Sequence, residues 1–242
     1  MKTTSLNKLA FLLTCFSVFF LIPTISNAQW VKLGLDIDGE AVDDLSGSSV
    51  SMGGANILAI GAVANDGNGN NAGHVRVYQW SGSACLRKGN DINGEAPNDE
   101  FGFSVSMADS NTLAIGAQLN DGNGAQAGHV RIYKWNGIAW IQKGVDIDGE
   151  AAGDRSGYSV SMADSNTVAI GAIYNINNNS SAGHTRVFQW NGSTWIQKGN
   201  DIDGEAFSDQ SGFSVSMANA NPVAVAANAD DGSGTNAGHV RI

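Results

Sequence analysis

A repeat of constant length constrains this chain more than any other feature. The phrases Asp-Ile-Asp/Asn-Gly-Glu-Ala, Ser-Val-Ser-Met and Ala-Gly-His-Val/Thr-Arg each occur four times, always 55 residues apart. They begin at Asp36, Asp91, Asp146 and Asp201; at Ser49, Ser104, Ser159 and Ser214; and at Ala72, Ala127, Ala182 and Ala237. Because a free linker would tolerate drift in length, this constancy predicts copies that all have the same kind of neighbour, as in a ring or a solenoid.

Each copy contains four strand candidates and lacks helical periodicity. In the second copy the candidates span 103–107, 112–117, 129–135 and 140–144, and clusters of Gly, Asn, Asp and Ser separate them. Asn136-Gly137 suits a tight hairpin with positive φ, and Asp109-Ser110-Asn111 supplies turn-forming side chains. We therefore expect each copy to form a four-stranded antiparallel meander.

The second strand candidate, 112–117, is apolar on both faces, so both faces of its sheet must be covered. Stacked meanders provide this cover, and closing the stack into a ring gives a β-propeller. The sequence thus predicts an all-β propeller with one blade per repeat, divided at about 30–84, 85–139, 140–194 and 195–242. Small residues such as Gly116 suit close approach, and the aromatic residues Trp80, Trp135, Trp140, Trp190 and Trp195 are expected to pack between blades.

Residues 1–28 have the pattern of a signal peptide. Lys2 and Lys8 precede an apolar stretch, and Ser26-Asn27-Ala28 supplies small residues for cleavage before Gln29. The stretch is short for a membrane anchor, and cleavage at Cys15, as in a lipoprotein, would leave much of it on the mature protein. We expect a secreted or cell-surface protein with no transmembrane span in the mature chain.

The charge and the cysteine content argue against a nucleic-acid partner and against an intrachain disulfide. The formal net charge of the chain is −10, and cleavage of the leader would remove two lysines and no acid. Nucleic acid is therefore not expected as a partner, because phosphate binding needs clustered Lys and Arg. Cys85 is the one cysteine beyond the leader, so the mature chain is expected to have no intrachain disulfide.

The second copy resembles the FG-GAP repeat of integrin alpha amino-terminal propellers. The resemblance lies in Phe101-Gly102-Phe103-Ser104-Val105, in Leu113-Ala114-Ile115-Gly116-Ala117 and in Gly128-His129-Val130-Arg131-Ile132-Tyr133. The resemblance covers Trp30 to Ile242, with Ser-Gly in place of Phe-Gly in the other copies. The resemblance implies a propeller that usually has seven blades, and an extracellular role in adhesion. Many blades of the family carry a calcium loop between the first two strands, but here that connection is only a short turn.

A different set of acidic residues is a candidate calcium site, because alternating oxygen ligands around a glycine can surround a hard cation. The candidates are Asp36, Asp38, Glu40 and Asp44; Asp91, Asn93, Glu95 and Asp99; Asp146, Asp148, Glu150 and Asp154; and Asp201, Asp203, Glu205 and Asp209. The competing interpretation is that they cap turns and pair with Arg76, Arg131, Arg186 and Arg241. No other cofactor is expected.

Two further features are interpreted as structural. The loop that begins at Asn65-Asp66-Gly67 is expected to be plain and exposed. The histidines His74, His129, His184 and His239 each begin a strand, where a ring nitrogen can satisfy a turn carbonyl.

Ile242 falls within the third strand of the last copy, so we expect an incomplete product that lacks further blades. The alternative is a closed four-blade ring in which residues 30–35 complete the last blade.

No catalytic motif is found, and near-identical copies argue against the asymmetric arrangement that an active site needs. The function expected is therefore adhesion or binding of a protein or glycan, without catalysis. The alternatives are a structural scaffold with no ligand of its own and, less favoured, a propeller lyase or hydrolase.

Binding predicts differences between copies in exposed loops, and the segments 62–71, 117–126 and 172–181 do differ most. An enzyme predicts one copy with an additional His, Asp or Glu, and we expect no copy to carry one.

Overall fold

The computed structural model describes residues 31–176 and 181–242, and the predicted signal peptide at 1–28 lies outside them. All strands belong to one compact unit, Leu33–Ile242. The described residues form 18 strands and no helix, so the all-β prediction is confirmed. Accordingly, this part of the chain offers no helix able to cross a membrane.

The strands form four antiparallel sheets, one for each repeat. Sheet 1 contains β1 (Ser46–Met52), β2 (Ile57–Ala62), β3 (His74–Trp80), β4 (Cys85–Arg87) and β5 (Ile92–Asn93). Sheet 2 contains β6 (Ser104–Asp109), β7 (Thr112–Ala117), β8 (His129–Trp135), β9 (Trp140–Gln142) and β10 (Ile147–Asp148). Sheet 3 contains β11 (Ser156–Asp164), β12 (Thr167–Ala172), β13 (His184–Trp190), β14 (Trp195–Gln197) and β15 (Ile202–Asp203). Sheet 4 contains β16 (Ser211–Met217), β17 (Val223–Ala227) and β18 (His239–Arg241).

The predicted meander is present, but its fourth strand is split in two. In sheet 2, β9 pairs with the Trp135 end of β8, and the short strand β10 pairs with the His129 end. Gly144, with φ of +86°, lies between the two pieces, so the predicted strand 140–144 ends early. The acidic phrase interpreted as a loop therefore begins as a strand, because Ile147 is buried where it pairs with Val130.

The turns follow the predicted chemistry with one change of length. Asp109 Oδ1 accepts a hydrogen bond from the Asn111 amide at 2.7 Å, which closes the turn between β6 and β7. Gly137 has the expected positive φ, +99°. The hairpin is a four-residue loop, 136–139, in which Asn136 Oδ1 accepts the Ile138 and Ala139 amides at 2.8 Å.

The sheets pack face to face in sequence order, with a hydrophobic core between each sheet and the next. Leu113 and Ile115 of β7 belong to the core shared with sheet 1, whereas Ala114 belongs to the core shared with sheet 3. All six residues of β7 are buried. The predicted cover on both faces of this strand is therefore confirmed.

Backbones of neighbouring sheets approach so closely that one position in the second strand must be glycine. A Cβ atom on Gly116 would lie 2.2 Å from the Gly157 carbonyl oxygen of sheet 3. Gly61 and Gly171 face the corresponding carbonyls of Gly102 and Gly212. These contacts confirm the expected crowding at the glycine of the second strand.

Polar groups are also satisfied between sheets. The Ser104 hydroxyl donates to the Gly157 carbonyl at 2.7 Å, and Ser106 Oγ accepts the Met162 amide at 2.9 Å. Trp140 Nε1 donates to the Lys88 carbonyl at 2.8 Å, and Lys88 Nζ lies 5.3 Å from the centroid of that indole ring. Both serines of the Ser-Val-Ser-Met phrase therefore join successive sheets, and the tryptophan packs between sheets as predicted.

Ring closure is not observed in the residues described. Sheet 4 has three strands there, and residues 33–45 form only turns and irregular backbone. The arrangement fits consecutive propeller blades. The closed ring, the number of blades and the completion of the last blade by residues 30–35 stay predictions.

Candidate functional site

One end of each sheet gathers the acidic phrases and the longest loops. It is formed by the loop between the second and third strands and by the turn that precedes the first strand. We call this region the loop end; it comprises residues 38–45, 63–73, 94–103, 118–128, 149–155, 173–176, 181–183, 204–210 and 228–238.

The fourth acid of each phrase is buried and organises the acidic turn. Asp99 is 3% exposed, and its Oδ2 accepts the Ala96 amide at 3.1 Å and Asn120 Nδ2 at 3.0 Å. The equivalent turn bonds join Asp44 to Ala41, Asp154 to Ala151 and Asp209 to Ala206. The predicted turn-capping role is thus observed for this position.

The loop between the second and third strands is less exposed than predicted. Asn120 is 5% exposed and donates to Asp99, whereas Asp121 to Asn123, Ala125 and Gln126 are exposed. Asn123 Nδ2 donates to the Gly149 carbonyl at 2.7 Å, in the acidic turn of the next repeat. The loop therefore bridges two successive acidic turns. The recurrence of Asn at 65, 120 and 175 is the sequence signal for this role.

In the first three repeats, the glutamate of one acidic phrase and the first aspartate of the next phrase come together around the histidine of the third strand. In the fourth repeat, Glu205 and Asp230 of the same repeat lie around His239. The clusters are Glu40, His74 and Asp91; Glu95, His129 and Asp146; Glu150, His184 and Asp201; and Glu205, Asp230 and His239. In each cluster one nitrogen or oxygen from every residue lies within 4.8 Å of the others. Sequence reasoning had listed the acids of the first three clusters within single phrases and had set the histidines apart. They come together because the short fifth strand of each of these sheets pairs with the start of the third strand.

The remaining candidates lie away from these clusters. Asp38, Asn93, Asp148 and Asp203 have exposed side chains, and they contribute backbone contacts instead. The Asp148 carbonyl, for example, accepts Arg186 Nη2 at 2.6 Å. Asp36 is also exposed. The four candidate residues of each phrase therefore lie in different surroundings. Calcium binding by them stays a prediction.

The predicted pairing of acids with arginines is confirmed. Arg76 Nη1 and Arg186 Nη1 each lie 3.5 Å from Oε1 of Glu40 and Glu150, respectively. Arg131 contacts Glu95, and Arg241 Nη1 lies 3.4 Å from Glu205 Oε1.

The histidines do not satisfy turn carbonyls as predicted. Within the described residues, Nε2 of all four rings is buried without a hydrogen-bond partner, and Nδ1 faces the carboxylates. Burial lowers the pKa of His74, His129 and His184, while the neighbouring carboxylates oppose that change. These three rings are therefore neutral at neutral pH.

The fourth repeat departs from the others at Asp230, which occupies the position of Asn65, Asn120 and Asn175. The expectation that no copy carries an additional acid was therefore wrong. Asp230 Oδ2 lies 3.0 Å from His239 Nδ1. Hydrogen bonds from the Gly232 amide and from His239 lower the pKa of Asp230, so this carboxylate is ionised at neutral pH.

An aromatic ladder lies at the loop end, and sequence reasoning missed it. Phe103, Tyr158 and Phe213 stand two residues before the valine of Ser-Val-Ser-Met in successive repeats, and Ser48 occupies the position in the first. Ring centroids are 5.0 Å apart from Phe103 to Tyr158 and 5.3 Å apart from Tyr158 to Phe213. All three rings are partly exposed. The signal was an aromatic residue recurring every 55 residues at a strand position expected to be buried.

Comparison with known families agrees with this architecture. A family model described as the FG-GAP repeat matches residues 93–133, which run from β5 through β8. No curated protein matches the chain. The matched segment contains the acidic turn, the first three strands of sheet 2 and the loop between the second and third, all of which recur in the other repeats. The resemblance is confirmed for the second repeat, where residues 93–133 match the FG-GAP repeat.

Proposed function

We propose that the chain is a secreted or cell-surface adhesion module that binds a glycan or protein ligand at the loop end, without catalysis. The observation that carries the proposal is the aromatic ladder of Phe103, Tyr158 and Phe213, which crosses three consecutive sheets beside the loops that differ most between repeats. Partly exposed aromatic rings supply large contact area at low entropic cost, and they stack on sugar rings as well as on side chains.

The surroundings of the ladder support a binding role. Arg155 lies over the Tyr174 ring at 5.1 Å, and both residues belong to the loop end of sheet 3. The buried aspartates and asparagines hold the loops in place, so a ligand would meet a preorganised surface and a smaller entropic cost. Export is supported by the signal-peptide pattern and by the extracellular setting that the family resemblance implies. Mass spectrometry of the exported protein is expected to find Gln29 at its amino terminus.

The function is tested with the exported chain on a glycan array and in pull-downs from cell-surface proteins. We expect Tyr158→Ala to weaken binding of the ligand found by about tenfold or more, the range of a central aromatic contact. Ile138→Ala is the control, because Ile138 is 85% exposed in the hairpin at the opposite end of sheet 2 and lies outside the loop end. Both variants should keep the melting temperature of the parent.

The scaffold alternative predicts a different pattern. A purely structural repeat would give no ligand in either screen. Equal loss of binding in Tyr158→Ala and Ile138→Ala would mean that the aromatic ladder is not the binding surface.

A further inference from the structure

Three side chains of the third repeat point at a common centre. Glu150 follows β10, His184 begins β13, and Asp201 immediately precedes β15. The His184 side chain is 1% exposed, and neither of its ring nitrogens has a hydrogen-bond partner within the described residues. His184 Nδ1 lies 3.7 Å from Asp201 Oδ2 and 3.9 Å from Glu150 Oε2. A buried, unpartnered nitrogen thus faces two carboxylates.

These distances do not describe direct hydrogen bonds, which join N and O at about 2.7–3.2 Å. They instead match the separation of two ligands on one small ion. With metal–ligand bonds of about 2.0–2.1 Å, tetrahedral ligands lie about 3.4 Å apart and trigonal ligands about 3.6 Å apart. The two distances from His184 Nδ1 exceed these separations by a few tenths of an ångström, and all three ligand atoms lie within 4.8 Å of one another. Side-chain adjustments of about an ångström would therefore let all three atoms contact a single ion.

The other oxygen of each carboxylate is already held by a neighbour. Gln197 Nε2 donates to Asp201 Oδ1 at 2.6 Å, and Arg186 Nη1 lies 3.5 Å from Glu150 Oε1. These contacts leave Asp201 Oδ2 and Glu150 Oε2 facing the histidine, with Asn175 Nδ2 3.5 Å from Glu150 Oε2. Metal-binding carboxylates are characteristically oriented by such outer contacts.

We propose that Glu150, His184 and Asp201 bind a divalent transition-metal ion of the type of Zn²⁺, with solvent completing the coordination. An imidazole ligand beside two carboxylates favours Zn²⁺, Co²⁺, Ni²⁺ or Cu²⁺ over Ca²⁺, which takes six to eight oxygen ligands. The site differs from the calcium prediction because it joins acids of two successive repeats through a histidine. It is also independent of the ladder and of the proposed adhesion function.

The same residue types recur in the first two repeats, where we expect weaker metal binding. In the first repeat, His74 Nδ1 lies 4.0 Å from Glu40 Oε2. In the second, Arg131 Nε lies 3.3 Å from Asp146 and the same guanidinium contacts Glu95, so a cation already occupies the carboxylates. We therefore expect the third repeat to bind metal most tightly.

The test titrates Zn²⁺ into the full chain against a chromophoric chelator, with both cysteines replaced by serine so that thiols contribute nothing. We expect the tightest equivalent to disappear in His184→Gln. Gln197→Ala should weaken that equivalent by about 10–100-fold, the usual effect of removing an orienting contact. Asp43→Asn is the matched control, because it removes an exposed carboxylate outside the clusters. Co²⁺ bound by the parent should give visible absorption that His184→Gln lacks.

Several results would overturn the proposal. Absence of Zn²⁺ uptake is one, and unchanged stoichiometry in a folded His184→Gln variant is another. Binding of Ca²⁺ without Zn²⁺ would instead support the calcium prediction. If His184→Gln fails to fold, two other measurements decide. Gln197→Ala must bind Zn²⁺ more weakly than the parent, and the melting temperature of the parent must rise with Zn²⁺ and return to its first value after chelation.

Discussion

The space between sheets and the loop end follow opposite rules. Between sheets the same contacts recur in each repeat: the Ser104 hydroxyl bonds the Gly157 carbonyl at 2.7 Å, and Ser159 bonds Gly212 at 2.7 Å. At the loop end the buried Asp and Asn positions recur, but the exposed tips and the ladder position vary. Repetition is therefore strict where one sheet must match the next, and relaxed where side chains meet solvent. The second region is where a ligand can be selected without disturbing the stack.

The largest expected effect comes from a cavity between sheets. Leu113 is fully buried in the core between sheets 1 and 2. Leu113→Ala should lower the free energy of unfolding by about 2–5 kcal/mol, through lost burial and an unfilled cavity. Urea denaturation measures the change. A loss below about 1 kcal/mol would mean that the core between sheets 1 and 2 is not tightly packed. The contrast between this core and the loop end would then fail.

Next in size is the effect of adding one methyl group at the closest approach of two backbones. In Gly116→Ala the new Cβ would lie 2.2 Å from the Gly157 carbonyl oxygen and 2.4 Å from Ser104 Oγ. Because backbone must move to admit it, we expect a loss of about 1–3 kcal/mol. Thermal unfolding of this variant is compared with Gly192→Ala, where a Cβ meets open space and only the positive φ is strained. Equal losses would show that sheet spacing is adjustable.

A smaller effect is expected at the buried framework of the loop end. Asp99→Asn leaves the shape of the side chain but replaces a carboxylate that accepts bonds from Ala96 and Asn120. Charged hydrogen bonds contribute about 1.5–3 kcal/mol, and the amide keeps one acceptor, so we expect a loss of about 1–2 kcal/mol. Hydrogen exchange should increase at the Ala96 amide while the strands of sheet 2 stay protected. Increased exchange throughout the sheet would contradict the separation of the two regions.

The smallest effect concerns one hydrogen bond between sheets. Ser106→Ala removes the acceptor of the Met162 amide, which lies 2.9 Å from the Ser106 hydroxyl oxygen. We expect a loss of about 1 kcal/mol, the usual contribution of a single hydrogen bond. Double-mutant analysis with Ser161→Ala, which removes the equivalent bond to Met217, should give additive losses because the two bonds share no partner. Strong coupling would show that the sheets unfold as one block.

Much of this architecture could be predicted from the sequence, because strand patterns are local. The spacing of 55 residues, the apolar second strand and the Asn-Gly and Asp-Ser-Asn turns predicted four similar meanders. The described residues contain three of them and the first three strands of the fourth. The buried Ile147 and the break at Gly144 were missed because a two-residue strand gives no periodicity. Turn capping by Asp99 and pairing of Glu150 with Arg186 were also foreseen, since such contacts follow from residue type and proximity in the repeat.

The sequence by itself determined the repeated unit, its strands, its two apolar faces and the acidic net charge, because each depends on composition and short-range pattern. The tertiary structure alone decided which residues meet across repeats. Glu150 and Asp201 are 51 positions apart, and they converge on His184 because β15 pairs with β13 in sheet 3 and the turn that carries Glu150 leads into β11 of the same sheet. The ladder of Phe103, Tyr158 and Phe213 arises because one sheet stacks on the next. Contacts set by strand pairing and stacking carry no local signal, which is why the candidate sites emerged only with the fold.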